Sequence, residues 1–197
     1  CSAMFTYQYL DAKNSKAAAA LTRQITQGEV DKCYYAVVKV TDRKGMENVQ
    51  KVLGDRTVIT LENYLLKDSR TNMSRVVPEG TDGAKKAVLE YQVLGVEAGE
   101  ELALLRVKLH TGRHHQIRVQ LSETGMPILN DTKYGVTPNE ENIKDTSRAV
   151  RDEALALCSY RLVFSHPVTR KKLTFEVIPK GKSFALFSED FGKKDNI

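Results

Sequence analysis

The chain has 197 residues, of which 41% are hydrophobic and 28% are charged, proportions that are typical of a globular domain with a buried core. Lys and Arg total 30 against 25 acidic residues, a net charge of +5 that favours a polyanionic partner without requiring one. The three cysteines are scattered and form no CxxC pair, which argues against a zinc site or a disulfide framework and favours a reducing, cytoplasmic compartment. No apolar run approaches the length of a membrane span.

The first half of the chain is predicted to contain one helix and three strands. Residues 1–10 are expected to be extended, and an alanine-rich run at 15–27 predicts a helix that Gly28 ends. Residues 42–45 are interpreted as a turn, and the polar segment 67–75 as an exposed loop. Strands are predicted where aromatic and β-branched residues cluster, at 32–40, 57–66 and 87–94.

The segment 105–135 is the most structured part of the second half. It begins with apolar residues that alternate with polar ones, so we expect a strand that pairs with the preceding strand through a turn at 97–100. The residues 113–124 predict a helix, with Thr111 as its N-cap and Gly125 at its C-terminal end.

The remaining residues predict a second hairpin. A loop is expected at 127–135, and the polar stretch 138–153 is interpreted as either a surface loop or a short exposed helix. Strands at 156–164 and 173–178 flank a turn and should pair with each other. The charged tail after Pro179 is expected to become loose toward its end.

The order of these elements predicts the fold class. Strands that arrive mostly as hairpins, together with two clear helices, predict an α+β fold with a mixed, largely antiparallel sheet and flanking helices. No repeat or linker interrupts the chain, so residues 1–197 are interpreted as a single domain, which we expect to be monomeric.

Basic side chains cluster around the start of the predicted helix. A helix start with free backbone N–H groups can bind phosphate, and basic residues in its first turn would support such a site. A merely solvated basic face is the alternative that the residues leave open. No acidic or cysteine ligand lies close to the histidines of this region, so no metal site is predicted. The cluster lies within 13 residues and comprises Arg106, Lys108, Arg113, His114, His115 and Arg118.

Two consecutive tyrosines follow Lys32 in the predicted strand at 32–40. Side chains alternate along a strand, so we expect one of Tyr34 and Tyr35 to lie in the core and the other at the sheet surface. An exposed tyrosine beside a basic cluster could stack on a nucleobase. Four scattered carboxylates remain as possible reactive groups, and their spacing singles out none of them: Asp11, Asp68, Asp82 and Asp131.

Several separated motifs resemble the RluA-type pseudouridine synthases. The run TGRHHQIRVQLSETGMPILNDTKYG, within 109–135, is similar to the family patterns TGR-x-HQIRVHL and G-x-P-I-x-x-D-x-x-Y-G. AKNSKAAAAL at 12–21 and Lys32-Cys33-Tyr34 with Ala36 resemble earlier landmarks of the family. LLKDSRTNMSRVV at 65–77 and the segment 155–179 resemble the others, in the family's order, so the resemblance covers residues 12 to 180.

The resemblance implies an enzyme that isomerises uridine to pseudouridine in structured rRNA or tRNA, with a catalytic aspartate and with neither metal nor organic cofactor. It implies that Tyr34 packs against the target base and that Arg118 pairs with the catalytic aspartate. It further implies that Arg113 and His115 support that site or contact phosphate. Three more basic residues complete the expected RNA contacts: Lys32, Arg106 and Lys108.

The chain departs from the family pattern at two places. Gln120 stands where the family usually has His, a small change. The family's HRLD motif, which carries the catalytic aspartate about ten residues before AKN, is absent from 1–11, and Asp11 lies too close to the helix to replace it. We therefore expect that the N-terminal part of the catalytic domain lies outside this chain. The alternatives are a non-catalytic RNA-binding relative and a structural or interaction domain.

Overall fold

The computed structural model describes residues 15–41, 43–53, 57–97, 99, 101–135 and 154–192. The predictions for 1–10 and 138–153 therefore lie outside the described residues. The described strands form one seven-stranded sheet in the order β3-β2-β4-β5-β1-β6-β7, and every neighbouring pair is antiparallel. The strands are β1 Asp31–Lys39, β2 Ile59–Asp68, β3 Met73–Val77, β4 Lys85–Glu97, β5 Leu102–Leu109, β6 Leu157–Ser165 and β7 Lys172–Glu176.

Four described helices accompany this sheet, and none of them is long and apolar enough to cross a membrane. The predicted α+β class is confirmed, with a sheet that is antiparallel throughout its described part. Both predicted hairpins are also confirmed, since β4 pairs with β5 and β6 pairs with β7. The helices are α1 Ser15–Thr26, α2 Arg43–Leu53, α3 Gln116–Glu123 and α4 Lys182–Ala185.

The two faces of the sheet can be told apart from the strand register. Val119 of α3 packs against Ala87 of β4, so α3 covers the face to which Ala87 points. Side chains alternate along a strand and directly paired residues share a face. Tyr91 lies on this face with Ala87. Tyr91 pairs with Val107 of β5 and Val107 pairs with Tyr34 of β1, so all three residues lie on the same face. We call it the α3 face.

The opposite face of the sheet is covered as well. Tyr35 stacks on Tyr160 with ring centroids 3.8 Å apart, and the ring of Phe191 lies 5.1 Å from that of Tyr35. Phe184 and Phe187 are buried in the same core cluster. Three aromatic rings therefore attach the charged segment between Phe184 and Phe191 to the core. The loose end that was expected near 193–195 lies outside the described residues.

Two elements of the first half were predicted wrongly. The turn expected at 42–45 belongs largely to α2, where Gly45 lies so close to Gly125 that a Cβ on it would be 2.4 Å from the Gly125 carbonyl oxygen. Gly45 therefore serves close packing of backbones and not a turn. The loop expected at 67–75 contains the end of β2, a tight turn and the start of β3. Its polar side chains suit an edge strand, and β3 is at the edge of the sheet.

Candidate active site

Lys32 and Tyr34 lie on the α3 face near the start of β1. This end of β1 is next to the turn that precedes α3, where a phosphate site was predicted. A Cβ built on Gly112 would be 3.3 Å from Nζ of Lys32, so the amine lies directly against this turn. Burial lowers the pKa of the Lys32 ammonium group. Tyr34 is 6% exposed and Tyr35 is 5% exposed. The expectation that one of the two tyrosines lies at an open surface is therefore wrong, because both sheet faces are covered.

The structure separates Arg106 and Lys108 from the rest of the basic cluster. Arg106 pairs with Tyr35 in the register, so it points away from the α3 face, and Lys108 points the same way. Arg106 is 3% exposed, and its Nη1 donates to Oε1 of Gln92 at 3.5 Å. The expectation that Arg106 contacts RNA is therefore wrong. Both faces of the sheet are covered, so a side chain on either face can be buried.

The turn before α3 is held together by one glutamine. Oε1 of Gln116 accepts hydrogen bonds from the Thr111 hydroxyl at 2.8 Å and from the Arg113 backbone N–H at 2.9 Å. Its Nε2 donates to the carbonyl oxygen of Val88 at 3.1 Å. The Thr111 hydroxyl in turn accepts the Val88 backbone N–H at 2.8 Å. The side chain of Gln116 therefore joins the turn to β4.

The helix predicted to start at Arg113 starts at Gln116, and its N-cap is His115 with φ 52° and ψ 23°. Thr111 does not cap the helix, because its hydroxyl is used by Gln116 and Val88. Arg113 lies outside the helix and is exposed, and its Nε donates to the carbonyl oxygen of Lys86 at 2.8 Å. The predicted end is confirmed, since Gly125 has φ +77° and follows the C-cap.

Arg118 forms a buried ion pair with Asp131. Its Nε donates to Oδ2 at 2.8 Å and its Nη2 donates to Oδ1 at 2.6 Å. Oδ1 also accepts the backbone N–H groups of Lys133 and Tyr134 at 2.9 and 3.0 Å. Burial alone would raise the pKa of Asp131, but these hydrogen bonds outweigh burial and hold the pKa below its usual 3.8. The carboxylate is therefore ionised at neutral pH.

This ion pair adds a partner that the sequence reasoning did not assign. The family resemblance implies that Arg118 pairs with a catalytic aspartate, and that pairing stays a prediction. Asp131 was among the candidate carboxylates, but spacing did not single it out. The signal that could have found it is the D-x-x-Y-G pattern, in which Asp131, Tyr134 and Gly135 act together. The carbonyl oxygen of Asp131 accepts the Gly135 N–H at 2.9 Å, closing the loop.

Tyr134 connects the loop, the helix start and the hairpin of β2 and β3. Its ring centroid lies 5.0 Å from Cζ of Arg118, a cation–π distance. Its hydroxyl oxygen accepts the Ser74 backbone N–H at 2.7 Å and lies 2.9 Å from Nδ1 of His115. Nδ1 of His114 lies 2.9 Å from the Ser74 hydroxyl, and the two histidine rings are 3.8 Å apart. His114 lies before the helix, which begins at Gln116.

The electrostatic field at the helix start is positive. The pKa of His115 is lowered to about 4, first by burial and then by the charge of Arg118. The pKa of His114 is lowered by burial and by the charges of Lys67, Lys133 and Arg118. Both histidines are therefore neutral at pH 7 and act as hydrogen-bonding and stacking groups.

The described residues contain no group of three or more His, Cys, Asp and Glu side chains that could hold a metal ion. Gln120, at the position where the family usually has His, points into the protein. Its Nε2 donates to Oδ1 of Asn63 at 2.8 Å and to the carbonyl oxygen of Leu61 at 3.2 Å. In this chain the residue attaches α3 to β2, which is a structural task.

Comparisons with known proteins agree with the fold and with the family resemblance. The ribosomal large subunit pseudouridine synthase D of Vibrio cholerae is 34% identical over 167 residues, which cover 83% of this chain and 46% of that protein. An uncharacterized RNA pseudouridine synthase of Aquifex aeolicus is 30% identical over 166 residues, covering 84% of this chain and 47% of the relative. The chain spans about half the length of these curated relatives.

A solved structure, of human RNA pseudouridylate synthase domain containing 1, is similar with a TM-score of 0.60 and 23% identity, over 85% of this chain and 62% of the human one. This similarity concerns the fold. The family model described as RNA pseudouridylate synthase matches residues 10–123, more than half of the chain. The resemblance drawn from the sequence motifs is thereby confirmed: the chain belongs to the RluA-type family of RNA pseudouridine synthases.

Proposed function

We propose that this chain is the RNA-binding and catalytic part of a pseudouridine synthase that acts on uridine in structured rRNA or tRNA. The observation that carries the proposal is the buried pair of Arg118 and Asp131 beside a positive helix start, on the sheet face that carries Lys32 and Tyr34. Family membership supports the reaction class. The ribosomal substrate in the name of the Vibrio cholerae relative makes rRNA the first substrate to test.

Three cations around the start of α3 are exposed in the described part of the chain and are available to an RNA backbone. Arg113 and Lys133 are exposed, and Lys67 is an exposed residue whose charge acts on His114. The one carboxylate at their centre, Asp131, is already neutralised by Arg118. Cations arranged in this way bind phosphates and release counterions. We therefore propose that the RNA backbone lies along these exposed cations at the start of α3. Arg106 is not among the proposed RNA contacts, because it is buried.

Tyr34 and Arg118 keep the roles that the family resemblance implies, as proposals. Tyr34 lies on the α3 face, two residues from Lys32, and it is 6% exposed, so a flipped base would contact only the exposed part of its ring. Arg118 would hold the catalytic aspartate by hydrogen bonds of its second guanidinium edge. We propose that this aspartate belongs to an HRLD segment encoded upstream of Cys1. Sequencing that region of the reading frame tests the assignment, and an upstream region without a carboxylate motif would contradict it.

A non-catalytic RNA-binding relative is the second candidate. It is favoured by the fact that Arg118 already has a carboxylate partner within this chain. The two candidates are separated by incubating rRNA and tRNA with the product of the complete reading frame. Pseudouridine in the RNA supports the enzyme, whereas tight binding without pseudouridine supports the second candidate. The third reading, an interaction domain, requires that RNA affinity be undetectable even at low salt.

RNA contacts on the α3 face are tested by salt titration of binding. Each phosphate contact adds about −0.7 to the slope of log affinity against log salt for single-stranded RNA. We expect Arg113→Ala to make the slope shallower by about this amount. Arg23, exposed in the last turn of α1, is the matched control, and Arg23→Ala should leave the slope unchanged. Equal slopes for both variants would remove Arg113 from the interface.

The compartment and the oligomeric state remain part of the proposal. Cys33 and Cys158 are both buried and form no disulfide in the described part of the chain, which is consistent with the reducing cytoplasm. We propose a monomer that presents one α3 face to one RNA. Light scattering of the purified chain tests this, and a mass of two chains at micromolar concentration would contradict it.

A further inference from the structure

We propose that Asp131 is a positioning residue for the isomerisation: with the ring of Tyr134 it fixes the Arg118 guanidinium so that its remaining edge faces the reacting groups. This inference rests on the proposed function and deepens it. It assigns a role to the D-x-x-Y-G loop and separates that role from the chemistry of bond breaking.

Asp131 has the properties of a holding group and not of a reacting one. Its side chain is fully shielded from solvent, so neither ribose nor base can approach the carboxylate. Its two oxygens accept four hydrogen bonds, two from Arg118 and two from the backbone of its own loop. A carboxylate that is saturated in this way is held strongly in the ionised form and is a poor nucleophile.

Tyr134 fixes the face of the same guanidinium. The ring lies 5.0 Å from Cζ of Arg118. The ring is itself held at both ends, since the hydroxyl meets Ser74 and His115 and the carbonyl oxygen accepts the Ser122 hydroxyl at 2.8 Å. One edge and one face of the guanidinium are thus occupied by residues of a single loop.

The orientation leaves one edge of Arg118 for a ligand. Arginine has five N–H donors in a rigid plane, and Asp131 uses one on Nε and one on Nη2. Within the described ranges, Nη1 forms no hydrogen bond. The Nη1–Nη2 edge therefore presents two parallel donors, the arrangement that matches a carboxylate or a phosphate.

The pairing also changes how Arg118 should contribute to binding. Asp131 and Arg118 together carry no net charge, so an anion at the second edge is held by directed hydrogen bonds and not by an excess of positive charge. Arg118 should then matter for turnover far more than for the salt dependence of RNA affinity. Arg113, which is exposed and has no acidic partner among the contacts described for it, should behave in the opposite way.

Asp131→Asn is the direct test, since it keeps the volume of the side chain but cannot accept both guanidinium hydrogen bonds. Two readouts are needed. Nitrogen–proton NMR of this chain reports the exchange of the Arg118 Nε–H, assigned by its absence in Arg118→Lys. Steady-state kinetics of the complete reading frame's product report kcat and KM with rRNA.

We expect Asp131→Asn to lose protection of the Arg118 Nε–H and to lower kcat about 100-fold, as a misplacement of about 1 Å does. RNA affinity should not fall, because the variant removes no cation. Lost protection with an unchanged kcat would overturn the proposal. Preserved protection with kcat abolished would also overturn it, because Asp131 would then affect the reaction by a route other than holding Arg118.

Arg118→Lys protects the test against misfolding, because a lysine still neutralises Asp131 but lacks the planar fork. It should lower kcat to a similar extent while binding RNA with unchanged affinity, and an unchanged kcat would contradict the proposal. Failure of the proposed function is distinguishable, since the wild-type protein would then form no pseudouridine. In that case the role of Asp131 in the reaction is refuted together with the proposed function. The exchange of the Arg118 Nε–H still decides whether Asp131 holds Arg118.

Discussion

Truncation of Arg118 to alanine should destabilise the protein strongly, whatever it does to catalysis. The Asp131 side chain is fully shielded from solvent in the wild-type protein, and Arg118→Ala removes two of its four donors, which leaves two backbone N–H groups. Removing one partner of a buried ion pair typically costs about 3–5 kcal/mol because the other charge stays buried. A loss of activity in Arg118→Ala is therefore ambiguous unless the free energy of unfolding is measured alongside it.

The expected loss can be measured by urea unfolding. With a slope of about 2 kcal/mol per molar urea, a loss of about 3–5 kcal/mol lowers the midpoint by about 1.5–2.5 M. Replacing both partners with apolar residues, as in Arg118→Met with Asp131→Leu, should recover most of the loss, since no charge then stays buried. This pair of experiments separates the cost of an unpaired charge from the cost of a cavity.

The pH dependence provides a second signature of the same cause. In the wild-type protein the pKa of Asp131 is below 3.8, so its contribution to stability is present above pH 3.8 and is lost as the pH falls through the folded-state pKa. Without Arg118, burial should raise the folded-state pKa of Asp131 above 3.8. The stability gap between variant and wild type should then be largest at pH 7 and narrow as the pH approaches 4.

Lys86→Ala is the control for this prediction. Nζ of Lys86 lies 2.6 Å from Oε1 of Glu62, and the two side chains are 50% and 52% exposed. An exposed pair contributes about 0–1 kcal/mol, so the midpoint should move little. If Arg118→Ala lowered stability no more than Lys86→Ala, or if its deficit did not change with pH, the ionised and buried state of Asp131 would be refuted.

Two further predictions concern how the site is held together. Gly135→Ala should lower the free energy of unfolding by about 1–3 kcal/mol, since its Cβ would be 2.2 Å from the Asp131 carbonyl oxygen. Gly99→Ala is the control: its Cβ would have its nearest neighbour at 3.6 Å, so the midpoint of thermal unfolding should change little. Equal midpoints for the two variants would contradict the close approach. Gln116→Ala should cost about 2–3 kcal/mol in urea unfolding, because it removes the bond to Val88 and two bonds to the turn before α3; a loss below about 0.5 kcal/mol would show that this turn does not depend on the glutamine.

The sequence predicted the strands well where hydrophobic period and turn residues agreed. The hairpins β4–β5 and β6–β7 follow from alternating apolar residues on either side of short polar turns. The prediction from sequence failed where one residue type has two different structural roles. Gly45 looked like a turn residue because glycine is common in turns, but it permits the contact between α2 and Gly125.

The candidate site was predicted in part for a similar reason. The helix and Arg118 were found from capping residues, basic residues and family motifs, and in the structure Lys32 lies against Gly112 in the turn before α3. The burial of Arg106 could not be inferred from alternation alone, because it depends on both faces of the sheet being covered. The partner of Arg118 could not be inferred from spacing either, since Asp131 is 13 residues away and reaches it only through the fold of the loop.

The role proposed for the site around Arg118 is the isomerisation of uridine in RNA. This role is tested by mass-spectrometric detection of pseudouridine in rRNA and tRNA incubated with the product of the complete reading frame, beside its Arg118→Lys variant. We expect pseudouridine with the wild-type protein, and a large loss of product with the variant at unchanged RNA affinity. RNA that is bound by the wild-type protein but contains no pseudouridine would refute this role.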